Sequence, residues 1–124
     1  MEVEKGLKYK ERFLRLAQEV ASWSSCPKGR QHGCVLAVDG KYICSTGYNG
    51  LSSNEYCIHK SKCKVICPKS ICPAIHAEVN AIINAARLGV KLSDCVAYCT
   101  KKPCENCKRV LTNAGITNIH WLQG

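Results

Sequence analysis

The 124-residue sequence predicts an α/β fold, a mixed sheet covered by helices in the order α-β-β-α-β-α-β. Three observations carry that expectation. Segments with apolar residues at spacings of 3 and 4 alternate with short β-like runs. The first two of those runs are joined by Asp39-Gly40, a strong hairpin signal. The last two are separated by a helical segment, and a crossover of that kind makes its flanking strands parallel. Length allows a single domain, 1–124, because two independent cores would each be marginal.

Residues 8–23 set Tyr9, Phe13, Leu16, Ala17 and Val20 against Glu11, Arg12, Arg15 and Glu19, an amphipathic first helix. The hairpin strands are expected over 34–38 and 41–46. Residues 48–73 have no periodicity and contain Cys57, Cys63, Cys67 and Cys72. A loop this long in a small domain is functional, disordered or pinned, and four cysteines favour pinning. Residues 75–88 are apolar on most sides, which predicts a second helix buried between layers and stopped at Gly89. A third strand follows over 96–100, a third helix over 104–114 stopped at Gly115, and a fourth strand over 116–122.

Lys and Arg number 18 against 9 acidic residues, a formal charge of +9. That suits an anionic partner without choosing among nucleotide, nucleic acid and membrane surface. No apolar run approaches the roughly 20 residues of a membrane span. Met1-Glu2-Val3-Glu4-Lys5 lacks the basic-then-apolar order of a signal peptide. A cytoplasmic protein without a membrane partner is expected. Eleven cysteines need an explanation. The count is odd and follows no secretion signal, so metal binding is favoured over a disulfide scaffold.

Two motifs carry chemistry. His76-Ala77-Glu78 opens the second helix, and Pro103-Cys104-Glu105-Asn106-Cys107 opens the third. Cys104 and Cys107 share one face of a first turn, where the helix dipole favours thiolate. Pro103 suits the first helical position. One His and two Cys supply three zinc ligands and leave the fourth position open for water. Glu78 lies about 200° around a regular helix from His76. Both therefore reach one cleft only if His76 sits at the helix entry, and the pattern places it there. A carboxylate there can take a proton from water and pass it on. Chance produces both motifs in roughly one chain in a hundred. The alternative is a closed structural zinc site with Glu78 solvated, but no fourth ligand adjoins either motif.

With these residues the sequence resembles the deoxycytidylate (dCMP) deaminase family of the zinc-dependent cytidine/deoxycytidylate deaminase superfamily. The resemblance runs from about Cys26 to Trp121. It includes Cys26-x-x-x-Arg30 leading to Gly33, Thr46-Gly47-Tyr48-Asn49-Gly50, and His76-Ala77-Glu78-Val79-Asn80-Ala81-Ile82. The cysteine motif and Asn113-Ala114-Gly115-Ile116 complete it. The resemblance implies a cytidine-deaminase-like three-layer α/β/α fold and hydrolytic deamination of dCMP to dUMP with release of ammonia, supplying dUMP for dTMP synthesis. It implies catalytic zinc on His76, Cys104 and Cys107, Glu78 as proton shuttle, the Ala77 N–H on the base O2, and Asn49 on the sugar. Asn49-Gly50 is also a common turn pair, so the residues alone leave turn and ligand open. A homo-oligomer and control by dCTP and dTTP are further implications.

Cys26, Cys57, Cys63 and Cys72 could close a second, structural zinc, with Cys67 or His59 as substitutes; the alternative is free thiols. Filling both sites leaves a working charge of about +7. Cys34, Cys44, Cys95 and Cys99 read as small buried hydrophobes. A phosphate needs cations or N–H donors, and Lys102, Lys101, Arg30, Lys60, Lys62 and Lys64 are the candidates, though a solvated basic face is the commoner fate of each. Two departures stand out. Lys101-Lys102 occupies a place where relatives often carry an acidic or small residue. The chain stops at Gly124, after the fourth strand, whereas typical members continue through another helix and strand. Competing readings are a tRNA adenosine or other nucleic-acid deaminase, a free-nucleoside cytidine deaminase, and a non-enzymatic zinc module. Tyr48-Asn49 and the cysteine-bearing insert speak against the tRNA enzymes, which usually carry Trp-Asn and a shorter insert.

Overall fold

The computed structural model describes residues 6–26, 28–51 and 74–122. The chain runs through α1 (Lys10–Ala21), a 3-10 turn (Lys28–Arg30), β1 (Gly33–Val38), β2 (Tyr42–Tyr48), α2 (Ala77–Arg87), β3 (Cys95–Cys99), α3 (Glu105–Asn113) and β4 (Ile119–Trp121). The expected element order is the observed one. The strands form one sheet in the order β2-β1-β3-β4. β1 is antiparallel to both neighbours, while β3 and β4 are parallel across the α3 crossover.

The Asp39-Gly40 link has both residues in the left-handed region, φ 53° and 68°, and the Lys41 N–H donates to the Val38 carbonyl at 2.9 Å. That backbone matches the twist of paired strands. Further along, the register passes from Ala37↔Ile43 to Leu36↔Ser45, which leaves Cys44 as a bulge in β2.

Alternate residues of β1 enter different cores. Val35 and Ala37 pack with Val96, Tyr98 and the α1 residues Phe13, Leu14, Ala17 and Val20. Cys34 and Leu36 pack with Ala97, Cys99, Ala77 and Ala81 of α2, and Leu111 of α3. The molecule is thus a three-layer α/β/α arrangement. With both faces covered, β3 is buried along its whole length and β1 nearly so, and the sequence shows apolar runs there instead of alternation.

Two glycines let the helices come close. A methyl group at Gly33 would overlap Ala17 O and Ala21 N of α1, and one at Gly47 would overlap Ala77 O and Ala81 N of α2. The expectation that α2 is buried between layers is corrected. Only Ala77, Glu78, Ala81 and Ala85 are buried, while Ile83 and Leu88 are 39% and 77% exposed. The sheet-facing stripe is alanine because the backbone approach at Gly47 has no room for larger groups. Side-chain hydrogen bonds complete the seam. Ser45 Oγ donates to Ala81 O at 2.7 Å, Asn80 Nδ2 to Tyr48 O at 2.8 Å, and Asn84 Nδ2 to Thr46 O at 2.9 Å. β2 is an edge strand, and these asparagines, one helical turn apart, occupy carbonyls of alternate residues along it.

Candidate active site

His76 is the N-cap of α2, with extended backbone (φ −66°, ψ 151°), and so stands outside the helical repeat that would turn it away from Glu78. An isolated Gly50–Ile75 bridge holds the residue just before it: the Gly50 and Ile75 N–H groups donate to each other's carbonyls at 3.1 and 2.7 Å. Cys104 is the N-cap of α3, and its sulfur accepts from the Cys107 N–H at 3.4 Å. Pro103 precedes that cap instead of taking the first helical position.

These two helix starts bring His76, Cys104 and Cys107 together. His76 Nδ1 lies 3.2 Å from Cys107 Sγ and 3.8 Å from Cys104 Sγ, and the three ligand atoms all lie within 4.8 Å of one another. Tetrahedral zinc, with bonds of about 2.3 Å to sulfur and 2.05 Å to nitrogen, separates its ligands by about 3.5–3.8 Å. The donor set and its spacing fit that ion. Cys107 is buried, whereas His76 and Cys104 are exposed, so the cluster opens toward solvent on one side.

Burial pushes the Cys107 thiol well up, reinforced by the charge of Glu78 and the neighbouring Cys104. The helix dipole alone therefore does not make this thiol a thiolate. A divalent cation in the cluster reverses the balance. Glu78 is 8% exposed. Burial raises its carboxyl, opposed by its own backbone N–H, the His76 charge and a hydrogen bond with Cys107. A carboxyl moved toward neutrality beside this cluster is suited to taking and returning protons.

Ala77 is the first residue of α2 and buried, and the opening N–H groups of a helix have no partner within it. Asn49 is 9% exposed and holds the loop between α1 and β1. Its Oδ1 accepts from the His32 N–H at 2.9 Å and its Nδ2 donates to Arg30 O at 2.6 Å. Ser24, which sequence reasoning missed, donates to Asn49 O at 2.7 Å and caps the Cys26 N–H at 3.1 Å. Asn80 and Asn84 were missed as well; their signal was a pair of amides four residues apart on the helix that begins at the cluster. Arg30 is half-buried at the end of the 3-10 turn. Exposed Lys102 holds Nζ 5.8 Å from the centroid of the Trp121 ring. Cys26 is half-buried. Its proposed partners Cys57, Cys63 and Cys72, the substitutes Cys67 and His59, and Lys60, Lys62 and Lys64 lie outside the described residues.

A sequence model of the cytidine and deoxycytidylate deaminase zinc-binding region matches residues 7–123. Deoxycytidylate deaminase of Schizosaccharomyces pombe is 34% identical over 114 residues, 86% of this chain and 34% of that protein. A probable deoxycytidylate deaminase of Caenorhabditis elegans is 34% identical over 119 residues, 94% of this chain and 58% of that protein. The chain thus spans between a third and three-fifths of the length of these relatives. Crystal structures of dCMP deaminase from the cyanophage S-TIM5 share the fold. The apo form superposes with a TM-score of 0.75 at 24% identity, covering 93% of this chain and 82% of that one. The form in complex with dCMP and dUMP gives 0.73 at 22%, covering 93% and 81%.

Proposed function

Since the chain belongs to the cytidine and deoxycytidylate deaminase zinc-binding family, we propose that it carries out zinc-dependent hydrolysis of dCMP to dUMP and ammonia. The observation that carries this reading is buried Glu78 beside the open cluster of His76, Cys104 and Cys107. These three side chains would hold the metal. When bound, zinc supplies Lewis acidity that brings the pKa of water in its open position to about 7.

Every other task falls to the chain. Water adds its oxygen at C4 of the base, and the C4–N4 bond breaks. Glu78 takes the proton released by the water, delivers it to ring N3, and then transfers a proton to the departing amine. The Ala77 N–H donates to the base O2. Asn49 has one N–H and one acceptor lone pair left after its two loop contacts, and these serve the sugar. Lys102, Lys101 and Arg30 are the described cations offered for the phosphate. A second zinc on Cys26, Cys57, Cys63 and Cys72 has a structural role in this reading.

Product analysis on dCMP, deoxycytidine and a tRNA anticodon stem tests the assignment. The expected result is dUMP, with kcat/KM for dCMP at least about a hundredfold above that for deoxycytidine, roughly 2.7 kcal/mol of transition-state binding. Equal handling of the two removes the phosphate site and the dCMP assignment with it. Turnover of the tRNA stem alone replaces it with nucleic-acid deamination.

A further inference from the structure

Cys44 and Cys95 are 51 residues apart in the chain, yet their sulfurs stand 3.0 Å apart. They are not on adjacent strands: β1 runs between β2 and β3. The bulge explains the meeting. Breaking the alternation of β2 at Cys44 tilts its sulfur over β1, to 3.4 Å from Leu36 O. Cys95 flanks β1 from the other side, opposite Val38. Both pack into the core shared with α2 and α3. Cys95 opens β3, while Cys99 ends it nearest the metal cluster, so the pair stands about 13 Å along the strand from that end.

Access differs between the two. Cys44 is half-buried, but Cys95 is 4% exposed, so a small reagent meets Cys44 first. Cys34 and Cys99, whose sulfurs are 3.8 Å apart, are sealed at 0% and 2% exposure and offer no such entry.

We propose that Cys44 and Cys95 form an oxidation site, a dithiol that a hydroperoxide converts into a disulfide strapping β2 to β3 across β1. The Cys44 sulfur attacks one peroxide oxygen, the O–O bond breaks, and Cys44 becomes a sulfenic acid as one water leaves. The Cys95 sulfur then attacks Cys44 Sγ. The S–S bond forms, the S–O bond breaks, and hydroxide leaves with the Cys95 proton as a second water. Two electrons pass from the thiols to hydrogen peroxide, which is reduced to two waters. Closure brings the sulfurs from 3.0 Å to a bond of about 2.05 Å.

The experiment treats the zinc-loaded wild-type protein with hydrogen peroxide, blocks remaining thiols by alkylation, and digests with trypsin and chymotrypsin. That cleavage isolates Cys44 in peptide 43–48 and Cys95 in peptide 93–98, each without another cysteine. The expected product is these two peptides linked, about 2 Da lighter than their reduced sum, and released by dithiothreitol. Cys95→Ser should abolish the link and leave Cys44 as a sulfenic acid trapped by dimedone. Finding both peptides singly alkylated, or linked to other cysteines, overturns the proposal. The wild-type map decides this even where Cys95→Ser does not fold.

Discussion

Glu78 combines burial, proximity to Cys107 and a raised carboxyl, and none of these makes it one of the three clustered donors. Glu78→Gln is therefore expected to keep zinc, measured by elemental analysis, while turnover falls at least about a hundredfold. Loss of zinc together with activity would assign it to the metal instead. Tyr98 offers a different kind of test, remote from the chemistry. Its hydroxyl donates to Gly6 O at 2.7 Å, its ring stacks on His120 at 5.5 Å, and burial pushes its pKa up to about 12. A pKa raised above the unfolded value of about 10 means the folded state holds the proton more tightly. The stabilisation is whole below about pH 10 and is lost as pH rises through about 12. Urea unfolding across that window should show this decline in wild type and a shallower one in Tyr98→Phe. The variant should lose about 1 kcal/mol at neutral pH with the hydrogen bond. At this scale the sequence was most legible where a residue's chemistry was rare. The His, the two Cys and the Glu stood out by spacing, whereas Ser24 and Asn80 have common chemistry and acquire their roles only from their neighbours.

The elements were legible to within a few residues because periodicity and turn chemistry are local. Asp39-Gly40 needs only its own two left-handed residues to turn the hairpin. The burial of α2 was not legible in the same way. Its composition is apolar on most sides, but the face that is used is decided by Gly47, which lies 30 residues earlier and admits only small side chains opposite it. Gly47→Ala is expected to cost about 1–3 kcal/mol, since a methyl there meets backbone atoms that cannot rotate away. Displacing α2 also moves His76 away from the cysteines of α3. The same variant should therefore release zinc at lower chelator concentration, and a loss of Tm with unchanged zinc affinity would separate the helix seam from the site.

For the whole molecule, the cluster ties the N-terminus of α2 to that of α3, two elements that otherwise meet across the same face of the sheet. Chelation should lower the Tm, because zinc binds the folded arrangement in preference to the unfolded chain. Elemental analysis is expected near two zincs per chain, one retained in Cys63→Ser; a single zinc unchanged by that substitution would end the proposal of a structural site. By itself the sequence determined the order of elements, the parallel final pair of strands, and which His and Cys residues meet in the His76, Cys104 and Cys107 cluster. Each of those rests on short-range spacing or on the chemistry of a few unusual residues. The tertiary structure alone decided that Asn49 clasps the loop carrying Arg30 and that the bulge carries Cys44 across β1 to Cys95. These depend on contacts between residues from 19 to 51 positions apart, and such geometry appears only when the sheet and its two helical layers close on one another.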